Sequence, residues 1–160
     1  MKLYLAGPDV FRADAREWAA QAREICRRHG FDALTPLDHA ESEPGAICEA
    51  NLALLRKAQI VVANLNPFRG AEPDSGTCFE LGVGLALGKK LYGYMDGDET
   101  LLDRVRRIES LASDAPPCDR RGMIIEDFGL SANLMLAMSA HIVHGGLEEC
   151  LQAIRPRHGG

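Results

Sequence analysis

No two of the five cysteines (Cys26, Cys48, Cys78, Cys118, Cys150) stand in a C-x-x-C pair, and their number is odd. Scattered in this way, they read as reduced thiols that mostly pack, and their spacing argues against a zinc site. Positive charge is not in excess: 18 Lys and Arg stand against 23 Asp and Glu, a formal net charge of -5, which speaks against nucleic acid polymers or anionic membranes as partners. No stretch approaches the roughly 18 apolar residues of a transmembrane helix. The opening MKLYLAGP is too short an apolar run for a signal peptide, so a soluble cytoplasmic protein is expected. The phosphate-cradling patterns G-x-G-x-x-G and G-x-x-x-x-G-K-[ST] are missing, as is the G-x-S-x-G elbow of Ser hydrolases. The glycines of GVGLALGKK fall late in a predicted helix, where they cannot hold a phosphate. His141 and His144 form the one close histidine pair, but their HIVHG setting suits a strand end better than a metal site. No metal or cofactor is expected.

What is present is an ordinary globular composition, 46% apolar and 26% charged over 160 residues. A chain of this length buries roughly 70% of its unfolded surface and needs no staples. Residues 1–154 read as one domain without repeats or linkers, and RPRHGG (155–160) as a frayed, flexible tail. Apolar runs mark strands at 2–7, 31–37, 59–65, 90–95 and in HIVHG; QIVVANL is β-branched and unbroken, as a central parallel strand should be. Helical periodicity marks 13–28, where Trp18, Ala22, Ile25 and Cys26 share a face and His29-Gly30 stops the helix. Further helices are read over 45–57, 77–88, 131–139 and LEECLQAI, with a short one over 99–107. Alternating strands and helices predict a three-layer, doubly wound α/β fold with a five-stranded parallel sheet in flavodoxin-like order. Its ligand should lie beyond the carboxyl ends of the strands, so the turns after Gly7, Asn64 and Tyr94 matter most. The polar, irregular segment 96–122 is the natural lid or specificity loop.

The stretch DSGTCFELGVGLALGKK (74–90) places Glu80 as the one charge among apolar and small residues from Ser75 to Gly88. Thr77-x-x-Glu80 fits a capping box, a purely structural role at a helix start. Three features point instead to chemistry. Asp74 precedes the helix, where both carboxylates can face one pocket. Gly82, Gly84 and Gly88 each cost about 1 kcal/mol relative to Ala inside a helix, which suggests close packing around it. The preceding NLNPFRG brings Asn64, Asn66 and Arg69 past a central strand. Cys78 has no His placed near it in sequence, so it does not read as a nucleophile.

Taken together, YLAGPDVF (4–11), ANLNPFRGAEPDSGTCFELG (63–82) and FGLSANLML (128–136) resemble the nucleoside 2-deoxyribosyltransferase family, nearly end to end. The resemblance implies a flavodoxin-like fold and transfer of a 2-deoxyribosyl group from a 2'-deoxyribonucleoside to another free nucleobase. Glu80 matches the family nucleophile, which forms a covalent glutamyl-deoxyribose intermediate with net retention. Asp74 matches the acid that orients the sugar through its 5'-hydroxyl. Asn133 matches the asparagine that reaches the same hydroxyl from a neighbouring subunit, with Met135 beside it, so at least a homodimer is implied. Asn51 falls where the family has Asp or Asn near the nucleophile and base. Gly7, Pro8 and Phe11 match the loop that encloses the base. A helix start would help keep Glu80 ionised.

Gln59 departs from the acid many members carry at the opening of the third strand and reads as structural, and 96–122 matches nothing specific. No residue stands out as proton donor to the leaving base. Two other readings share these motifs: a nucleoside N-glycosidase using the same nucleophile, and a non-catalytic nucleoside sensor.

Overall fold

Alternation within the strands divides the apolar residues between two layers. Leu3, Leu5, Ile60, Val62 and Tyr94 pack with Ala22, Cys26, Cys150 and Leu151 on one face. Tyr4, Ala6, Val61, Ala63, Leu91 and Met95 pack with Leu55 and Leu81 on the other. Burial on both faces is what a central parallel strand requires, and Ile60–Asn64 is buried at every position. The computed structural model describes residues 1–111 and 116–154. The tail read at 155–160 lies outside them.

Strands β1 (Lys2–Ala6), β2 (Asp32–Leu34), β3 (Ile60–Asn64), β4 (Lys90–Met95) and β5 (His141–His144) form one parallel sheet in the order β2-β1-β3-β4-β5. This is the expected flavodoxin-like order. Leu3 pairs with Ala33 on one side and Ile60 on the other, and Tyr92 pairs with His141. The order reverses between β1 and β3, so the crevice above their carboxyl ends is the switch point. Helices α1 (Ala15–Arg28) and α6 (Leu147–Ile154) cover one face. Helices α2 (Pro44–Lys57), α3 (Ser75–Ala86) and α5 (Leu134–Ser139) cover the other. Helix α4 (Leu101–Glu109) follows β4. Trp18, Ala22, Ile25 and Cys26 do share the inward face of α1, and Gly30 leaves that helix with φ of 83°. Burial holds the Cys26 and Cys150 thiols up at about 12, in keeping with packing rather than reactivity.

Several boundaries move, each for a local reason. The strand read over 31–37 stops at Leu34, because Thr35 and Asp38 close a turn: Asp38 N–H donates to Thr35 O at 3.0 Å, and Thr35 N–H donates to Asp38 Oδ2 at 3.1 Å. The helix read over 131–139 starts at Leu134, since Asn133 Oδ1 accepts the Met135 N–H at 3.0 Å as an N-cap. The short helix in 96–122 runs over Leu101–Glu109, capped by Thr100. Gln59 proves to be a stitch between strand ends: its Oε1 accepts the Lys2 N–H at 2.8 Å and its own N–H reaches Lys2 O at 2.9 Å.

The glycines of α3 separate into two kinds. A Cβ at Gly84 would stand 2.9 Å from Leu91 Cδ2 and 3.0 Å from Val61 Cγ2, so only glycine lets this turn lie on the sheet. At Gly82 a Cβ meets nothing within 4 Å, and Gly88 lies past the helix at φ of 66°. Close packing therefore explains Gly84 and not the other two. Gly84→Ala should lower stability by about 1–3 kcal/mol in denaturant unfolding, its overpacking outweighing a propensity gain of about 1 kcal/mol. Gly82→Ala should raise stability by about 0.5–1 kcal/mol in the same measurement.

Candidate active site

A cavity of about 390 Å3 opens above the carboxyl end of β1, lined by Gly7, Val10, Phe11, Asn51, Asp74 and Glu80 among others. Its volume falls in the range of small-molecule sites. Five of the residues proposed from sequence thus meet around one space: Gly7, Phe11, Asn51, Asp74 and Glu80. Gly7 owes its identity to crowding. Its backbone is extended, but a Cβ would lie 2.8 Å from Asp9 Oδ2 and 2.9 Å from Asn64 Cβ.

At the floor, the Tyr4 hydroxyl donates to Glu80 Oε1 at 2.5 Å. Tyr4 is fully buried in β1, on the face that carries α3. Period-2 alternation aims it there. Helix α3 begins at Ser75, and its N-cap is Asp74, whose Oδ2 accepts the Thr77 N–H at 2.9 Å and the Thr77 hydroxyl at 3.0 Å. The capping box read as Thr77-x-x-Glu80 is therefore not formed. Glu80 sits in the second turn, beyond the reach of the helix-end partial charge, and draws its support from Tyr4 instead. Burial pushes the Glu80 carboxyl up to about 7; the Tyr4 hydroxyl opposes that rise and the charge of Asp74 adds to it. Burial first, then the Glu80 charge, drives the Tyr4 phenol far above its ordinary value, so it remains a donor. Among the described residues, Glu80 Oε2 and Asp74 Oδ1 accept no hydrogen bond.

The opposite wall comes from the loop after β2. Arg23 pairs with Asp38 and donates to Thr35 Oγ1 at 2.9 Å, and Thr35 donates to Asp38 Oδ1 at 2.8 Å, fixing Pro36 and Leu37 against the cavity. His39 follows, its Nε2 2.9 Å from Asn51 Oδ1. At the mouth, Phe11 and Phe68 stack with centroids 5.5 Å apart, and the Arg69 guanidinium lies over Phe68 at 4.6 Å.

Other expected residues are placed elsewhere. Pro8 lies in the turn Pro8–Phe11 without lining the cavity. Asn64 is buried and spends its amide on structure, donating to Asp9 Oδ2 at 2.9 Å and accepting from Asn66 N and Nδ2 at 3.1 and 2.9 Å. Asn66 Oδ1 accepts the Asp96 N–H at 2.8 Å, so the loops after β1, β3 and β4 are laced together. Arg69 serves the aromatic stack. Asn133 and Met135 lie apart from the cavity on α5; Asn133 Nδ2 donates to Glu126 Oε1 at 2.7 Å, and Met135 is exposed. No described residue of 96–122 lines the cavity. That segment instead supplies a buried clamp: Arg104 donates to Ala71 O at 3.0 Å, Glu99 O at 3.1 Å and Ser131 O at 2.6 Å. Tyr4 and His39 were missed as site residues. For Tyr4 the signal was available, since its strand position shares a face with α3; for His39, fixed by loop geometry, it was not.

A parallel sheet with two carboxylates beside a cavity over its switch point defines an α/β protein with a small-molecule site. The sequence profile of the family described as nucleoside 2-deoxyribosyltransferase matches residues 3–135, and the chain belongs to that family. A solved 2-deoxyribosyltransferase from Leishmania mexicana superposes with a TM-score of 0.80 at 28% identity, covering 98% of each chain. Two further structures share the fold alone: a 2-deoxyribosyltransferase from Bacillus psychrosaccharolyticus (TM-score 0.51, 19% identity, 89% of this chain and 98% of that one) and a CMP N-glycosidase from Clostridium botulinum (0.51, 13%, 96% and 98%). An uncharacterized protein of Schizosaccharomyces pombe is 35% identical over 114 residues, 65% of this chain; the chain spans 54% of that relative's length. Family membership and the match to a solved 2-deoxyribosyltransferase support an enzyme that handles glycosyl groups. Among the described residues, no helix is long and apolar enough to cross a membrane.

The raised Glu80 carboxyl carries a stability consequence. Between its ordinary value near 4.5 and about 7 the folded chain holds a proton that the unfolded chain has released, so this group's contribution falls as pH rises through that window. Glu80→Gln keeps the acceptor for Tyr4 and removes the buried charge. It should raise stability by about 1–3 kcal/mol at pH 8 and leave it nearly unchanged at pH 4, read by denaturant unfolding at the two pH values.

Proposed function

We propose that the protein transfers the 2-deoxyribosyl group of a 2'-deoxyribonucleoside to another free nucleobase, with Glu80 as nucleophile. The observation that carries this reading is a buried carboxylate held by one oxygen only: Glu80 Oε1 accepts the Tyr4 hydroxyl while Oε2 has no partner among the described residues. Oε2 attacks the anomeric carbon. The C–N glycosidic bond breaks, and its electron pair leaves with the base, which takes up a proton. The incoming base then attacks the same carbon through nitrogen, expelling Glu80 and losing its own proton. Two inversions give net retention. In each step positive charge builds on the sugar beside a carboxylate in low dielectric, where their attraction is strong. The Tyr4 hydroxyl stabilises the carboxylate each time it leaves. Its bond also restrains the Glu80 value, keeping a useful fraction ionised near neutrality.

Asp74 takes the sugar's 5'-hydroxyl on Oδ1, its Oδ2 being committed to Thr77. A 5'-phosphate would meet a like charge there, so the substrates are nucleosides. Asn133, half-buried, and Met135, exposed, both lie apart from their own cavity and complete a second subunit's site across a two-fold interface. The protein works in the cytoplasm, in nucleotide salvage.

Incubation with 2'-deoxyinosine and free adenine should yield deoxyadenosine by chromatography; hypoxanthine release unaffected by adenine would mark a hydrolase instead. Glu80→Gln should lower turnover by about a thousandfold or more while retaining nucleoside binding. Nucleoside binding by wild type and variant alike, with turnover in neither, would leave only a sensor, and undiminished turnover in the variant would refute Glu80 as the nucleophile. In the wild type, turnover should fall on acidification below about pH 7, following protonation of Glu80. Mixing inactive Glu80→Gln and Asn133→Ala chains should restore about a quarter of wild-type activity, because half of the mixed dimers' sites carry neither change. No recovery, or a fully active monomer in sedimentation, would refute the shared site.

A further inference from the structure

His39 is positioned to decide which way Asn51 points. The Glu41 N–H lies 3.3 Å from His39 Nδ1, and a backbone amide can only donate. Nδ1 must therefore be the bare, accepting nitrogen, and the ring proton sits on Nε2. Nε2 is 2.9 Å from the Asn51 side chain, so the group that meets it must accept: it is the amide oxygen, Oδ1. The orientation of Asn51 thus follows from the Glu41 backbone amide through the two nitrogens of the His39 ring. The Asn51 NH2 then has no share in this relay and remains as a pair of donors. Both residues line the cavity that Glu80 also lines.

We propose that His39 is a positioning residue that locks Asn51 with its amide NH2 toward the cavity, so that the site selects nucleobases by a hydrogen-bond acceptor on the bound edge. This rests on the deoxyribosyl-transfer reading for the identity of the ligand, though the lock itself does not. The chemistry differs from that of an acid at the same place. An aspartate could accept from a base or, protonated, hand it a proton. Asn51 held by His39 can only donate, and it keeps both protons. A base whose ring nitrogen is replaced by C–H would leave those donors unpaired in a partly buried wall, which is the arrangement that discriminates strongly. Were His39 only a loop pin, its removal would weaken every ligand alike and spare this discrimination.

The tautomer is read directly by long-range 1H–15N correlation of the imidazole in the ligand-free protein. A proton on Nε2 is expected; a proton on Nδ1 overturns the proposal whatever the enzyme's activity. Selectivity is read by calorimetric binding of adenine, 3-deazaadenine, 7-deazaadenine, cytosine and 3-deazacytosine. At least one deaza compound should bind the wild type tenfold or more weakly than its parent. His39→Gln places an amide N–H where Nε2–H stands and should keep that penalty. His39→Leu and Asn51→Leu should lose it, binding parent and deaza compound within about threefold of each other. An undiminished penalty in His39→Leu, or no penalty in the wild type, refutes the proposal. Failure of base exchange alongside an intact penalty would instead sink the transfer reading and leave the His39–Asn51 lock standing.

Discussion

The hydrogen bond from Tyr4 to Glu80 is the constraint around which the site is arranged. A buried carboxyl beside another acid favours its protonated form, and without a donor Glu80 would hold its proton still more firmly at neutral pH. One phenolic hydroxyl, delivered from the central strand next to the switch point, offsets part of that effect. The donor must be buried to be strong, must point along the strand's α3-facing side, and must meet the helix at its second turn. Those demands tie together the identity of residue 4, the register of β1 on β3, and the close seating of α3 that Gly84 permits. The N-terminus of α3 does not do this work, because Asp74 occupies that place as the cap.

The outer parts of the site are held by different means. Around the carboxyl ends of the strands, Asp9, Asn64 and Asn66 bind one another and the Asp96 backbone, so three loops move as one body. Arg104 does the same for segments farther out, gathering carbonyls from the loop before Asp74, from the start of α4 and from the residues before Asn133. A buried guanidinium with several carbonyl acceptors is a rigid joint, because removing any partner leaves a charge poorly solvated. The segment 96–122, which reads from sequence as a lid, acts in its described part as a brace behind the site.

Much of this was legible before any coordinates. Strand identity and order followed from β-branched runs spaced by amphipathic helices, signals that depend on burial over whole elements and are hard to mistake. The cluster of Gly7, Phe11, Asn51, Asp74 and Glu80 was legible through motif resemblance. Errors arose where short-range grammar admits two parsings. Thr77-x-x-Glu80 and Asp74-x-x-Thr77 are both plausible helix starts; the second prevailed because Asp74 offers a carboxylate to both the N–H and the hydroxyl of Thr77. Asn64 and Asn66 looked like ligands because they stand at the right strand end, and only their partners reveal that they are lacing. The His39–Asn51 contact joins two elements across 12 positions through loop geometry that no periodicity encodes.

The two ends of the Tyr4–Glu80 bond lie 76 positions apart. Tyr4 leaves the ribosome early, and Glu80 emerges only after β1, β2 and β3 have all been synthesised. Until those strands pair and α3 docks, the glutamate is an ordinary solvated acid. The raised carboxyl of Glu80 is therefore a property of the assembled sheet. A nascent, truncated or misfolded copy carries the residue but not the environment, and the buried acid with its phenolic partner exists only on chains that have already passed the test of folding.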